Sequence, residues 1–433
     1  MTTLAAGAPE AGDAIRTRDS SDAPPSIMFL SPSAQIGGAE RVLVDMVASL
    51  RHANPEQRLS VIASADGPLV ESAVALGARV KVLPFPPSLA KLGDAAAGAP
   101  SGPRAEAIRL LARTALAIPE VLRYIRELRR ELRVDSPGII HSNGAKMHVL
   151  SGIAGRGLAP VVWHMHEYLG KRRFMRRALR ASVSSCSAVI ANSASVGADA
   201  RSVLGESVPI HTVLNAVDLG RFTPDGARLD IDSLAGLSQP PFGTVRIGLV
   251  ATFARWKGHE LFFRALAALP ERVAVRAYVI GGPLYETQGS QYTVEELRSI
   301  AAEYGLGDRI AFTGHVSDVA SVMRSLDVVV HASVAPEPFG LVIAEAMACG
   351  RAVITSGAGG ALEFALNEKN ALVFAPGDAD SLARAIERLV ECEALRSQLG
   401  AEGYHTATER FDRLRLAHAL TPIYDQAILA GRA

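Results

Sequence analysis

Two glutamates, Glu337 and Glu345, stand eight residues apart in the stretch Ser333-Val334-Ala335-Pro336-Glu337-Pro338-Phe339-Gly340-Leu341-Val342-Ile343-Ala344-Glu345-Ala346-Met347-Ala348-Cys349-Gly350. Carboxylates in apolar surroundings are costly unless they meet polar partners, and the vicinal hydroxyls of a sugar are such partners. Pro338 suits the first position of a helix. That would set Glu337 beside unpaired backbone N–H groups and Glu345 about 12 Å along the axis at ~1.5 Å per residue. A helix start offers donors to an anion or a hydroxyl-rich ligand. A glutamate there also occurs as a simple dipole-favoured cap, and a lone glutamate in an apolar helix often pairs with arginine. The two together, with Pro-Phe-Gly between them, are more specific than either alone.

Three further groups have chemical potential. Gly37 and Gly38 follow a short apolar strand, Ile27-Met28-Phe29-Leu30, and precede an amphipathic helix from Arg41 to Leu50. Such a loop lets backbone N–H groups approach a phosphate. It is neither a G-x-G-x-x-G fingerprint nor a Walker A loop. His166 ends the alternating strand Val161-Val162-Trp163-His164-Met165-His166, on the ligand side of a parallel sheet. His-x-His can be a metal pair, but no further ligands cluster near it. Lys257 and Arg255 lie in Thr252-Phe253-Ala254-Arg255-Trp256-Lys257-Gly258, at a strand-to-helix junction.

The elements that must position these residues alternate strand and helix. A first series has strands at Ile27–Leu30, Leu59–Ala63, Arg79–Pro84, Gly138–His141, Pro160–His166 and Ala188–Ala191. A second has strands at Val245–Ala251, Val273–Ile280, Arg309–Phe312, Asp327–His331, Ala352–Thr355 and Ala371–Phe374. Alternation predicts parallel sheets covered by helices on both faces. The expected layout is a disordered tail over 1–25, a first domain over 26–218, a Pro/Gly/Asp-rich linker over 219–243, a second domain over 244–410 and a closing helix over 411–433. Residues 86–103 read as a mobile loop.

Composition narrows the class. At 433 residues the chain has room for two domains, and 48% apolar content can build both cores. A net charge of +1 gives no global bias toward nucleic acid, and no aromatic platform interleaves with the basic stretches. The three cysteines, Cys186, Cys349 and Cys392, are few and widely spaced. They fit a reducing compartment rather than a disulfide framework or a cysteine-based zinc site. No apolar run reaches the ~18–20 residues of a membrane span. Two basic helices, over 105–134 and 171–180, read either as solvated faces or as docking surfaces for anionic lipid or a pyrophosphate-linked acceptor.

Taken together, Glu337 to Glu345, Gly350-Arg351-Ala352-Val353-Ile354, Gly37-Gly38-Ala39-Glu40, Lys257-Gly258 and Gly359-Gly360-Ala361-Leu362-Glu363 resemble glycosyltransferase family 4. These are the retaining, metal-independent group 1 transferases of GT-B fold. The resemblance implies two Rossmann-like domains with parallel sheets facing a central cleft, and a last helix crossing back to the first domain. It implies that Glu337 orients the donor sugar and Glu345 the ribose. His166 contacts the transferred sugar, and Lys257 neutralises the departing diphosphate. The family's arginine position falls on Thr252, which leaves Arg255 as the substitute. Gly37, Gly38, Phe339, Gly340 and Leu341 supply main-chain contacts, and main-chain groups at His315 and Val316 hold the base. The implied donor is a UDP- or GDP-sugar, with no cofactor and no metal. The implied acceptor is a glycan or lipid-linked hydroxyl, in cell-surface polysaccharide or glycolipid synthesis. A cytoplasmic site follows, extending to the inner face of the plasma membrane through residues 171–180. The alternatives are a sugar-nucleotide epimerase and a catalytically silent subunit of a polysaccharide assembly complex, for which Thr252 is the main support.

Overall fold

The computed structural model describes the backbone of residues 24–86, 103–170, 172–283 and 289–432, with the side chains of 103–117, 173 and 432 left aside. The expected tail, up to residue 23, and nearly all of the expected mobile loop lie outside the described residues.

The chain forms two parallel sheets. In the first, β1 (Ile27–Leu30), β2 (Leu59–Ala63), β3 (Arg79–Val82), β4 (Ile139–Asn143), β5 (Val161–Met165), β6 (Ala188–Ala191) and β7 (Ile210–Thr212) lie in the order β3-β2-β1-β4-β5-β6-β7. In the second, β8 (Val245–Val250), β9 (Val275–Ile280), β10 (Ile310–Gly314), β11 (Val328–His331), β12 (Ala352–Ser356) and β13 (Leu372–Phe374) lie in the order β10-β9-β8-β11-β12-β13. The inner strands are buried along their whole length. β1, β4, β5, β6, β11 and β12 have no exposed residue, because helices cover both faces. That double covering lets His141 and His164 be as buried as Val162.

Both sheets reverse their winding at a central pair, β1 beside β4 and β8 beside β11. Ligands of open α/β sheets bind outside the strand carboxyl ends at such switch points. The Gly37-Gly38 loop follows β1, and Lys257 follows β8. Glu337 follows β11, and Asn143 ends β4.

Three details differ from the sequence reading. β7 is a seventh strand in the first sheet. It is only three residues long and only half-buried, so no apolar run announces it. The 219–243 connector contains an element that its Pro/Gly/Asp-rich composition did not indicate. It carries a short helix, Ile231–Leu234, whose buried Asp232 binds Arg276 at 2.8 Å, Arg246 at 2.8 Å and the Tyr278 hydroxyl. The helix after Glu337 begins at Leu341, with Gly340 in the left-handed region at φ +93. Pro338 is therefore in the preceding loop and not the first helical residue. A Cβ at Gly340 would lie 2.8 Å from the Ile343 side chain, so the turn requires glycine.

The last helix, Arg415–Arg432, packs on Gly38–Ala53 of the first unit. Leu416, Leu420 and Tyr424 join the core built from Phe29, Leu43 and Val47. The three cysteines are free thiols.

Candidate active site between the two sheets

A cavity of about 340 Å³ opens between the carboxyl ends of the two sheets. That is at the lower end of small-molecule sites, roughly 300–1,000 Å³. Gly37, Gly38, His166, Lys257, His315, Val316, Glu337, Phe339, Gly340, Leu341 and Glu345 all line it. Residues from the two halves of the chain therefore converge as the sequence reading requires.

Arg255 is the exception. Its guanidinium stacks 4.2 Å over the Tyr292 ring, donates to the Gly289 carbonyl at 3.0 Å and pairs with Glu296 at 3.4 Å. Its backbone N–H is bonded to the Ser290 carbonyl, which turns the side chain toward the 289–296 segment. Arg255 does not contribute to the cavity lining. The cation that does, besides Lys257, is Arg41 in the first helix. Arg41 lies three residues beyond Gly38, on the face that returns to the loop, and its Nε lies 3.7 Å from Glu345. The sequence reading names Arg41 only as the start of the helix that follows the Gly37-Gly38 loop.

Glu337 is the centre of a compact polar group. Its Oε2 accepts from Lys257 Nζ at 2.8 Å, from His331 Nε2 at 3.1 Å and from Ser333 Oγ at 3.3 Å. Burial by itself would raise its pKa, but Lys257 and His331 outweigh that and hold the carboxyl well below the usual range. Glu337 is thus ionised, and among the described residues its Oε1 has no hydrogen-bond partner. Gly258, next to Lys257, is at φ +78, and a Cβ there would lie 1.9 Å from the Ala332 carbonyl. Only glycine lets the Lys257 turn come this close to the segment carrying His331, Ser333 and Glu337.

Glu345 is buried in the second turn of its helix. Burial raises its pKa, with Arg41 and Arg221 opposing. His166 sits one residue past β5, its Nε2 2.6 Å from Asn143 Oδ1. Enclosure lowers its pKa to about 3, so the ring is neutral. Gly38 faces the second unit directly, since a Cβ on it would lie 3.7 Å from the Leu341 side chain.

Among the described residues, four buried polar atoms of cavity-lining residues have no hydrogen-bond partner: His166 Nδ1, Asn192 Oδ1, Asn215 Oδ1 and Thr252 Oγ1. Buried polar atoms in native proteins are nearly always paired, with protein or with ordered water, so these four leave hydrogen-bonding capacity around the cleft. Asn192 directly follows β6, and Asn215 lies three residues past β7.

The comparisons with known proteins agree with this geometry. The description "Glycosyltransferase Family 4" matches residues 36–221, and "Glycosyl transferases group 1" matches residues 241–406. The chain belongs to glycosyltransferase family 4. Its two sheets are the two Rossmann-like halves of the GT-B fold of that family. A crystal structure of HepE from Anabaena in complex with UDP and glucose superposes with a TM-score of 0.72 at 26% identity, covering 92% of this chain and 98% of that one. Among curated relatives, the D-inositol 3-phosphate glycosyltransferase of Xylanimonas cellulosilytica is 29% identical over 65% of each chain. The lipopolysaccharide core biosynthesis mannosyltransferase LpcC of Rhizobium leguminosarum is 31% identical over 52% of this chain and 62% of its own. The matches thus span less than two thirds of these curated relatives' lengths. Among the described residues, no helix of this family 4 chain is long and apolar enough to cross a membrane.

Proposed function

We propose that the chain transfers a sugar from a UDP- or GDP-sugar to a hydroxyl of a glycan or lipid-linked acceptor, with retention at the anomeric carbon and without a metal ion. The observation that carries this is the Lys257–Glu337 pair at 2.8 Å, at the floor of a cleft lined with unpartnered polar atoms. HepE, crystallised with UDP and glucose, supports a nucleotide sugar as the donor.

In this reading the bond between the anomeric carbon and the phosphate oxygen breaks, and its electron pair leaves on the diphosphate. Lys257, Arg41, the Gly37-Gly38 amides and the first amides of the helix Leu341–Ala348 meet that charge. They are held in place before the bond breaks, so they stabilise it most as it develops. The acceptor hydroxyl attacks the same face, and its proton passes to the departing phosphate oxygen. Glu337 uses its unengaged oxygen to orient sugar hydroxyls, and its partners keep it a poor nucleophile. Glu345 turns to the ribose hydroxyls, exchanging its contact with Arg41.

The test is a thermal-shift panel of UDP, GDP and their sugars, with and without EDTA. A rise in melting temperature with one nucleotide series, unchanged by EDTA, is expected. No shift with any nucleotide, or a shift that EDTA abolishes, overturns the reading.

We further propose that the acceptor reaches the cleft at an anionic membrane surface. The helix Arg173–Ser182 has no acidic residue, and it exposes Arg176, Arg177 and Arg180 beside the exposed Phe174. Basic side chains with an apolar neighbour suit anionic headgroups. Flotation with phosphatidylglycerol vesicles should be lost when Arg176, Arg177 and Arg180 become Glu. Equal flotation of both proteins contradicts this.

A further inference from the structure

Asn143 ends β4 and contacts two parts of the site. Its Nδ2 donates to the Ala39 carbonyl, 3.0 Å away, just after Gly37-Gly38. Its Oδ1 lies 2.6 Å from His166 Nε2. A backbone carbonyl only accepts, so the amide's NH2 must face Ala39 and its oxygen must face His166. An amide oxygen only accepts as well, so the proton of the His166 pair is on Nε2. A neutral imidazole has one ring proton, and burial keeps this ring neutral. Nδ1 is then a bare lone pair. It is buried, has no protein partner and belongs to a residue that lines the cleft.

The ring has little freedom to exchange these roles. It lies 4.1 Å from the His164 ring. His164 Nδ1 is 3.2 Å from His141 Nε2, and His141 Nδ1 is 2.8 Å from the Tyr424 hydroxyl of the last helix. This neutral stack packs against His166 on one side; within it His164 Nε2 is likewise buried without a hydrogen-bond partner among the described residues, and of the two only His166 lines the cleft.

We propose that Asn143 is a positioning residue that locks His166 in the Nε2–H tautomer, so that the cleft offers the transferred sugar a hydrogen-bond acceptor and selects donors with a free hydroxyl at that point. The same amide ties the Gly37-Gly38 loop to the histidine, which sets the spacing between the loop and the sugar. This rests on the reading of the cleft as a nucleotide-sugar site. It adds a residue and a polarity to that reading.

Nitrogen shifts of the imidazole, recorded on protein labelled with 15N-histidine and assigned with His166→Gln, read the tautomer without any substrate. A protonated Nε2 and bare Nδ1 are expected in the wild type and in Asn143→Asp, which keeps an acceptor facing Nε2. Asn143→Ala should lose the fixed tautomer. A donor series in which each sugar hydroxyl is replaced in turn by fluorine, which cannot donate, gives the second readout. One position should lose about tenfold in kcat/KM in the wild type, and the penalty should shrink in Asn143→Ala. A protonated Nδ1 in the wild type, or equal turnover of every fluorinated donor, overturns the proposal. If Asn143→Ala does not fold, the wild-type tautomer and wild-type fluorine series still decide it. If no nucleotide sugar turns over at all, the functional reading fails, and the tautomer still decides whether Asn143 positions His166.

Discussion

Lys257 Nζ and Glu337 Oε2 stand 2.8 Å apart, joining the segment after β8 to the segment after β11. The cation assigned to the diphosphate is therefore held by the carboxylate assigned to the sugar. Removing either group changes the other. Lys257→Ala should lower kcat/KM by about 10²–10³, the scale of losing one preorganised charge stabiliser. It should also destabilise the fold by roughly 3 kcal/mol, because the Glu337 carboxylate is left buried with His331 and Ser333 alone. The double variant Lys257→Met/Glu337→Gln should recover most of that stability and none of the activity. Chemical denaturation and steady-state kinetics on the three proteins check this. The folded carboxyl titrates below its ordinary value of 4.5, so the pair stabilises above that pH and loses its effect as pH falls through the folded value.

The two halves also meet through Glu363. Its Oε2 accepts from the Ala194 N–H at 2.9 Å and its Oε1 from the Ser195 N–H at 2.8 Å, so a carboxylate of the second unit caps a helix of the first. The Tyr168 hydroxyl donates to the Glu337 carbonyl at 3.3 Å, and Gly360 N–H bonds the same carbonyl at 2.8 Å. The docking strip and the catalytic strip are thus bonded side by side. Glu363→Ala should leave each half folded, widen the cleft and cost about 1 kcal/mol of capping energy. Small-angle scattering should show a larger radius of gyration, and the donor KM should rise more than kcat falls. An unchanged scattering profile and unchanged kinetics would contradict this role.

Asp45 is buried on the helix Gly38–Ala53, and burial pushes its carboxyl up to about 7. Arg413 opposes the shift from 3.7 Å, but Arg413 is engaged more closely by Asp218 at 2.8 Å. A raised folded pKa means stability present below the unfolded value of 3.8 and lost as pH rises through about 7. Asp45→Asn should therefore stabilise the protein more at pH 8 than at pH 5, by ~2 kcal/mol. Thermal melts at the two pH values read this directly.

Four buried histidines should make the protein acid-labile. Burial first, with neighbouring charge second, lowers His141 to about 3, His259 to about 4, and His148 and His164 well below 6.5. A depressed folded pKa means stability present above about 6.5 and lost as pH falls. Near pH 5 His141 and His259 should each cost about 2 kcal/mol before mutual coupling, with His148 and His164 adding in the same direction. A fall in urea midpoint between pH 7 and pH 5 is expected, offset in part by Asp45, whose raised carboxyl works in the opposite direction over the same window. A flat profile there would contradict the buried neutral stack.

The fold was legible because the strands are apolar runs of ordinary length between helical stretches, and the switch points follow from where the glycine-rich loops fall. β7 was not, since Ile210-His211-Thr212 has a single apolar residue. Within the site, Glu337 and Lys257 could be read from their neighbours in the chain, Pro-Phe-Gly and Gly258. Arg41 and Asn143 could not, because each acts through a partner distant in sequence. Asn143 meets Ala39 and His166 only once β1, β4 and β5 lie side by side. Arg255 failed for the converse reason. It lies in the right loop, yet Tyr292 and Glu296, some 40 residues on, draw it away.

The most direct test of the central claim is nucleoside diphosphate release from a panel of UDP- and GDP-sugars in the presence of EDTA, comparing the wild type with Glu337→Ala. The cleft described above predicts release from at least one donor by the wild type and none by a folded Glu337→Ala variant. Absence of release by the wild type from every donor, or equal release by both proteins, would contradict it.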